Sequence, residues 1–246
     1  FMTDLMKSDY ANPSSIHHGG RKSRILIENA RKTVSGFLNT SPGNIFFTSG
    51  GTEADNMAIR CGIIDNKISH AITSSISHKA VIYPLEELKE QEIIHLDYIK
   101  LDKNGRIDLS HLEELLQNNP KTFVSIMHAN NEIGTIQPIK EIGDLCMKYN
   151  AIFHCDTVQT MAHYPINLQE FNVDFITGSA HKFHGPKGVG FIYISDNINI
   201  KPFISGGSQE RNMRAGTENV HSIAGLAKAM EISYSNMQKD KKHISD

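Results

Sequence analysis

Lys182 stands in the run Gly178-Ser179-Ala180-His181-Lys182-Phe183-His184-Gly185-Pro186-Lys187-Gly188. It follows a histidine directly and lies between an apolar stretch (Val173, Phe175, Ile176) and a rigid Gly-Pro turn. Asp156, twenty-six residues earlier, closes a second apolar stretch, Ala151-Ile152-Phe153, through His154-Cys155. A lysine and an aspartate at the ends of neighbouring buried strands are the pair that a pyridoxal phosphate site needs. The amine forms a Schiff base with the aldehyde, and the carboxylate keeps the pyridine nitrogen protonated so that the ring draws electrons. Taken singly, a lysine in a Gly-rich loop and an aspartate ending a strand are ordinary surface features. The assignment gains weight only from other groups that converge on the same chemistry.

Several do. Ser49-Gly50-Gly51-Thr52-Glu53 lies between a strand and a helix. Its glycines let backbone N–H groups approach an anion, and the helix start adds partial positive charge. It lacks the Gly-Lys-Ser/Thr ending of a nucleotide P-loop, and the competing reading is a tight turn with Thr52 as N-cap. Ser179 and His181 can add donors to the same phosphate from the lysine loop. His78 opens a helix at a strand end, where an imidazole can stack on a flat ring and move protons. Asn131, in Asn130-Asn131-Glu132-Ile133-Gly134, and Gln159, three residues past Asp156, can each donate to a phenolate oxygen. Both also suit ordinary turns. The polar turn Asn12-Pro13-Ser14-Ser15 can meet a substrate carboxylate. Gly206-Gly207-Ser208-Gln209-Glu210-Arg211 and Arg214-Ala215-Gly216-Thr217 make a Gly-rich basic loop suited to a phosphate or a subunit contact. A metal reading of His154 with Cys155 fails, because adjacent strand residues point to opposite faces; no metal site is expected.

The elements that must position these groups alternate along the chain. Helical spacing marks 24–38, 52–64, 78–91 (with a kink or break at Pro84), 109–117 (capped from Asp108 or Ser110) and 139–149. Strands are expected at 45–48, 70–74, 93–99, 122–128, 151–156, 173–177 and 190–194. The pattern predicts an α/β fold, a mostly parallel seven-stranded sheet with helices on both faces. Ligands in such sheets sit beyond the carboxyl ends of the strands.

Composition bounds the rest. The 246 residues are 39% hydrophobic and 21% charged, with a formal net charge of −2. That balance gives no reason to expect nucleic acid or a membrane as partner. No apolar run approaches a membrane span and no signal peptide opens the chain. Cys61, Cys146 and Cys155 are odd in number and lack CxxC spacing, which fits a reducing cytoplasm. Both ends, Phe1-Met2 and the polar run from Lys239, read as cut points.

Residues 10–24, 46–59, 122–140, 154–168, 173–193 and 206–220 together resemble the cysteine desulfurases of the NifS/IscS type. These belong to the class V aminotransferase group of fold-type I pyridoxal phosphate enzymes. HANNEIGTIQPI, GSAHKFHGPKGVG and GGSQERNMRAGTENV carry the resemblance most specifically. It implies a large pyridoxal 5'-phosphate-binding domain over 1–237, with 238–246 starting a connection to a smaller domain. It implies Lys182 as the cofactor lysine, Asp156 on the pyridine nitrogen, Gln159 and Asn131 at the ring oxygen, and His78 stacked on the ring as a proton relay. Gly51 belongs to the phosphate cradle, and Thr52, Ser179 and His181 would bind the phosphate. Thr217 would reach the phosphate of the partner subunit in a homodimer, and Asn12 would help hold the substrate carboxylate. The implied substrate is L-cysteine, converted to L-alanine, with sulfur passed on to an iron–sulfur scaffold or to tRNA thiolation.

Departures from that family qualify the expectation. Its sulfur-accepting loop cysteine and its carboxylate-binding arginine match positions downstream of Asp246, and the three cysteines present fall in regular elements. The strand that precedes the Asn-Pro-Ser-Ser turn is largely absent, and Ser77 stands where the family carries an acid. The chain is therefore expected to bind cofactor without transferring sulfur by itself. The alternatives are a sibling class V enzyme, such as a selenocysteine lyase or an aminotransferase, and a non-catalytic truncated chain.

Overall fold

The computed structural model describes residues 1–245; Asp246, the last residue of the expected connection, lies outside them. The chain runs α1 (Met2–Ser8), α2 (His18–Leu38), β1 (Ile45–Thr48), α3 (Gly51–Asp65), β2 (His70–Ser74), α4 (Lys79–Glu90) and β3 (His95–Ile99). It continues α5 (Leu109–Asn118), β4 (Thr122–Met127), α6 (Ile139–Lys148), β5 (Ile152–Asp156), β6 (Phe175–Ser179), β7 (Gly190–Ile194) and α7 (Val220–Ser245).

The seven strands form one sheet in the order β1-β7-β6-β5-β4-β2-β3. The pairs β2/β3, β2/β4, β4/β5 and β5/β6 are parallel. β7 is antiparallel to both β6 and β1, so it alone runs against the rest. The expected mostly parallel sheet is what forms. Every residue of β4, β5 and β6 is buried, as in a sheet covered on both faces, whereas edge strand β3 leaves His95 and Tyr98 exposed.

Two apolar layers flank the sheet. On one face α3 and α4 bring Ala54, Ile59, Val81 and Leu85 against Ala71, Phe123, Ile152 and Phe175. On the other, α2, α5, α6 and α7 cover Val124, Ile126, Phe153, Cys155 and Ile176. The alternation places His154 and Asp156 on the α3 face and Cys155 on the other.

Several element limits differ from the sequence reading. α2 starts at His18 rather than 24, with the His17 side chain accepting from the Gly20 amide; Gly19-Gly20 hides that first turn from propensity. α4 passes through Pro84 as one helix. Asp108, not Ser110, caps α5 by accepting from the His111 amide. β6 ends two residues later than expected and takes in Gly178. A Cβ there would lie 2.4 Å from the Phe191 ring, so glycine lets β6 and β7 close up. α7 was not anticipated; its Ile223, Leu226, Ala227 and Met230 join the core. Residue 237, after which the expected connection begins, lies within α7.

Candidate active site

The carboxyl ends of β1, β2, β4, β5 and β6 open onto one cavity of about 240 Å³. It is lined by Gly51, Thr52, His78, Asn131, Asp156, Gln159, Ser179, His181 and Lys182, nine of the eleven expected site residues, together with Asp55, Met127 and Val158.

Each loop has a local reason for its place. After β1, Gly50 is the N-cap of α3 and makes no side-chain cap, so the Thr52 hydroxyl is not consumed by capping as the tight-turn reading required. A Cβ on Gly51 would lie 2.7 Å from Val158 Cγ2, so only glycine lets this backbone approach the β5 loop. After β2, His78 caps α4; its Nδ1 accepts from the Ala80 amide at 3.1 Å, which leaves Nε2 as the donor nitrogen. After β4, Asn130 donates to the Ile76 carbonyl and accepts from the amides of Glu132 and Ile133. This buried asparagine ties the β4 and β2 loops together and turns Asn131 out into the cavity. After β5, the Thr157 hydroxyl donates to the Thr177 carbonyl and so fixes the Asp156–Gln159 turn on β6.

Lys182 sits in a short 3-10 turn, Ala180–Phe183, which ends at His184 in the left-handed region (φ 66°). Phe183 is fully buried beneath it, and His163 Nε2 bonds to the Lys182 carbonyl at 2.9 Å. The backbone is held and the exposed side chain is left to the cavity. Ser179 Oγ and His181 Nδ1 are 2.9 Å apart.

Electrostatically the cavity has two ends. At one, Lys182 and the first turn of α3 offer an amine and amide donors, and His181 a neutral imidazole. Burial and the nearby Lys182 and Lys187 hold His181 below the usual imidazole range. At the other, Asp156 is 4% exposed and accepts from the Val158 amide at 2.9 Å. Burial, with the charge of Asp55 adding to it, pushes its carboxyl up to about 7. Sequence reasoning missed Asp55, whose carboxyl burial also pushes up to about 7 against a hydrogen bond from Thr177. A flat ligand with an anionic group at one end and a protonatable ring nitrogen at the other fits this donor set. The buried, proton-seeking Asp156 is what such a nitrogen satisfies.

Two expected residues lie elsewhere. Asn12 is exposed in the turn before α2, where its Oδ1 accepts from the Ser14 amide at 2.9 Å. Thr217 lines a neighbouring pocket of about 230 Å³ with Ser49, Gly188 and Arg214. Arg214 is committed to Glu53 by a two-pronged ion pair of 2.8 and 3.1 Å, so it is not a spare phosphate ligand.

The family model for class-V aminotransferases matches residues 2–246. The chain belongs to that family. Within it, the chain is 44% identical to the cysteine desulfurase IscS of Dictyoglomus turgidum over its whole length, covering 62% of that relative. It is 42% identical to the IscS of Methanosarcina thermophila, over 99% of this chain and 60% of that one. Among solved structures, a NifS-like protein superposes with a TM-score of 0.94 at 39% identity, over 98% of this chain and 67% of that one. A structure of SspA in complex with cysteine superposes with a TM-score of 0.88 at 35% identity, over 94% and 67%. The chain thus spans about three fifths of the length of its curated relatives, and the NifS/IscS resemblance of its motifs extends over all of it.

Proposed function

We propose that this chain is the cofactor-binding part of a pyridoxal phosphate-dependent cysteine desulfurase, which takes L-cysteine to L-alanine and passes the sulfur to a thiol. The observation that carries the reading is Lys182 and Asp156 lining one cavity from adjacent loops, with the glycine-led start of α3 between them. The names of the relatives support it. Residues 1–237 are the cofactor domain, and 238–246 begin the connection onward.

When bound, pyridoxal phosphate supplies an aldehyde that condenses with amines and a ring that withdraws electrons. Lys182 Nζ would hold the aldehyde end of the group and would be placed to move a proton. Asp156 would hold a proton at the ring nitrogen. His78 would face the ring and, with Nδ1 accepting from the Ala80 amide, would keep a proton at Nε2. Asn131 and Gln159 donate to the ring oxygen. The amides of Gly51 and Thr52, the hydroxyls of Thr52 and Ser179, and His181 hold the phosphate, and Thr217 of a partner copy completes that set in a homodimer. Asn12, whose Oδ1 is taken, offers its amide nitrogen to the substrate carboxylate.

The acceptor thiolate is not among the three cysteines. All are buried, and burial raises each thiol, that of Cys61 to about 12. A thiolate nucleophile needs the opposite shift. The onward acceptor is an iron–sulfur scaffold or a tRNA-thiolating protein. No helix among the described residues is long and apolar enough to cross a membrane, and we place the protein in the cytoplasm.

The test is loading with pyridoxal phosphate. The protein should gain a visible absorption band that borohydride abolishes, with the reduced adduct found by mass spectrometry on the peptide bearing Lys182. Lys182→Ala should show neither. An unchanged band in that variant overturns the lysine assignment, and a protein that stays colourless overturns the cofactor reading.

A further inference from the structure

Asp55 lines the cavity but has no part in the roles above. It sits in the second turn of α3, 2% exposed, and its Oδ1 accepts from the Thr177 hydroxyl at 2.7 Å. Facing it from β5 is His154, which no solvent reaches. His154 Nδ1 lies 2.8 Å from Ser125 Oγ, while its Nε2 is buried without a hydrogen-bond partner and 3.4 Å from Asp55 Oδ1.

The imidazole is neutral, since burial pulls it down to about 4, and so it carries one N–H. Were that proton on Nδ1, a bare Nε2 lone pair would face the oxygen of an ionised Asp55 in a dry interface, which is repulsive. With the proton on Nε2 the N–H lies on the side of the Asp55 carboxylate, 3.4 Å away, and the Ser125 hydroxyl, which can rotate, donates to Nδ1. Asp156 lies two residues along the same strand and on the same face as His154. Asp55, His154 and Asp156 therefore form one buried layer behind the acidic end of the cavity, and the charge of Asp55 acts on Asp156.

We propose that Asp55 is a positioning residue of the cofactor site: in its ionised form it faces the Nε2–H of His154 and sets a second negative charge beside Asp156, so that a protonated ring nitrogen meets two carboxylates rather than one. This inference rests on the cofactor reading above.

The experiment compares two probes, pyridoxal phosphate and its 1-deaza analogue, in which carbon replaces the ring nitrogen while aldehyde and phosphate remain. Both are titrated into the wild-type protein and into Asp55→Asn. The variant should bind pyridoxal phosphate about tenfold or more weakly and the analogue within about twofold of wild type. Equal losses for both probes mean a merely structural role and overturn the proposal, as does no loss for either. A wild-type protein that binds neither probe overturns the cofactor reading and this inference together; normal wild-type binding with an indifferent variant overturns the inference alone. Should Asp55→Asn not fold, ¹⁵N-histidine NMR of the wild type decides. His154, assigned through its backbone, should be the Nε2–H tautomer, and an Nδ1–H tautomer overturns the proposal.

Discussion

Asp156 receives one backbone hydrogen bond and otherwise faces the cavity, so in the cofactor-free protein its charge is poorly compensated. Its folded pKa of about 7 lies above the ordinary 3.8. The neutral acid is the favoured form, so the stability this residue contributes is complete below 3.8 and is lost as pH rises through 7. Asp156→Asn should therefore stabilise the cofactor-free protein by on the order of 3–4 kcal/mol at pH 8, and by clearly less at pH 5. Denaturant melts at the two pH values check this, and a gain that does not grow with pH refutes it. The same variant should bind pyridoxal phosphate more weakly than wild type. Cys61, Cys146 and Cys155 make a second case at this scale. A disulfide-forming thiol reagent should titrate them only once the protein is unfolded; fast reaction of any one under native conditions would reopen it as a sulfur acceptor.

The loop from Gly206 to Thr217 is held at two points. Glu210 meets Arg31 in a two-pronged ion pair of 2.8 and 3.0 Å and also accepts from the Phe47 amide, while Arg214 grips Glu53 on the first turn of α3. Glu210, Arg211 and Asn212 all lie at positive φ, an unfavourable run that the ion pair must over-determine. Glu210→Ala leaves the buried Arg31 guanidinium with only the Ile45 carbonyl and the longer contact to Glu28, and should cost about 3–5 kcal/mol in equilibrium unfolding, whereas Arg31→Met with Glu210→Leu should recover most of it. A small loss in the single variant would show the loop to be held by other contacts. None of this was legible in the sequence, where the loop reads only as Gly-rich and basic. Its partners lie 179 residues away for Glu210 and 161 for Arg214, beyond the reach of local spacing. Most strands were legible because short β-branched and aromatic runs, such as Ile45-Phe46-Phe47 and Ala151-Ile152-Phe153, need no tertiary knowledge. Asp55 was not, because a charged residue between Ala54 and Asn56 in a helix reads as solvent-facing until the sheet packs on it. α7 escaped because its apolar positions are interleaved with small and polar residues.

For the whole molecule, the proposed dimer makes a complementation test possible. Thr217 is outside the cavity of its own protomer. If it serves the partner's phosphate, each site combines Lys182 from one copy with Thr217 from the other. Thr217→Val should weaken pyridoxal phosphate binding. Refolding it together with Lys182→Ala should restore wild-type affinity in one site of each mixed dimer. Sedimentation should show the dimer; a monomer with full cofactor occupancy, or no restoration on mixing, refutes the arrangement.

The reversal of β7 has a consequence for how Lys182 is presented. Because β7 returns antiparallel beside β6, the ten residues between them, Ala180 to Val189, form a hairpin that leaves and re-enters the sheet at the same edge. It is cross-linked at its mouth by the Ala180 amide to the Val189 carbonyl and by the Gly185 amide to the Ala180 carbonyl. A parallel return would have required a long crossover, with a larger loop-closure entropy and a longer lever arm under the lysine. The closure cost is met when the sheet folds rather than when a ligand arrives. Amides of 180–189 should consequently be as protected from deuterium exchange before cofactor loading as after it, so that the amine meets its ligand already in register.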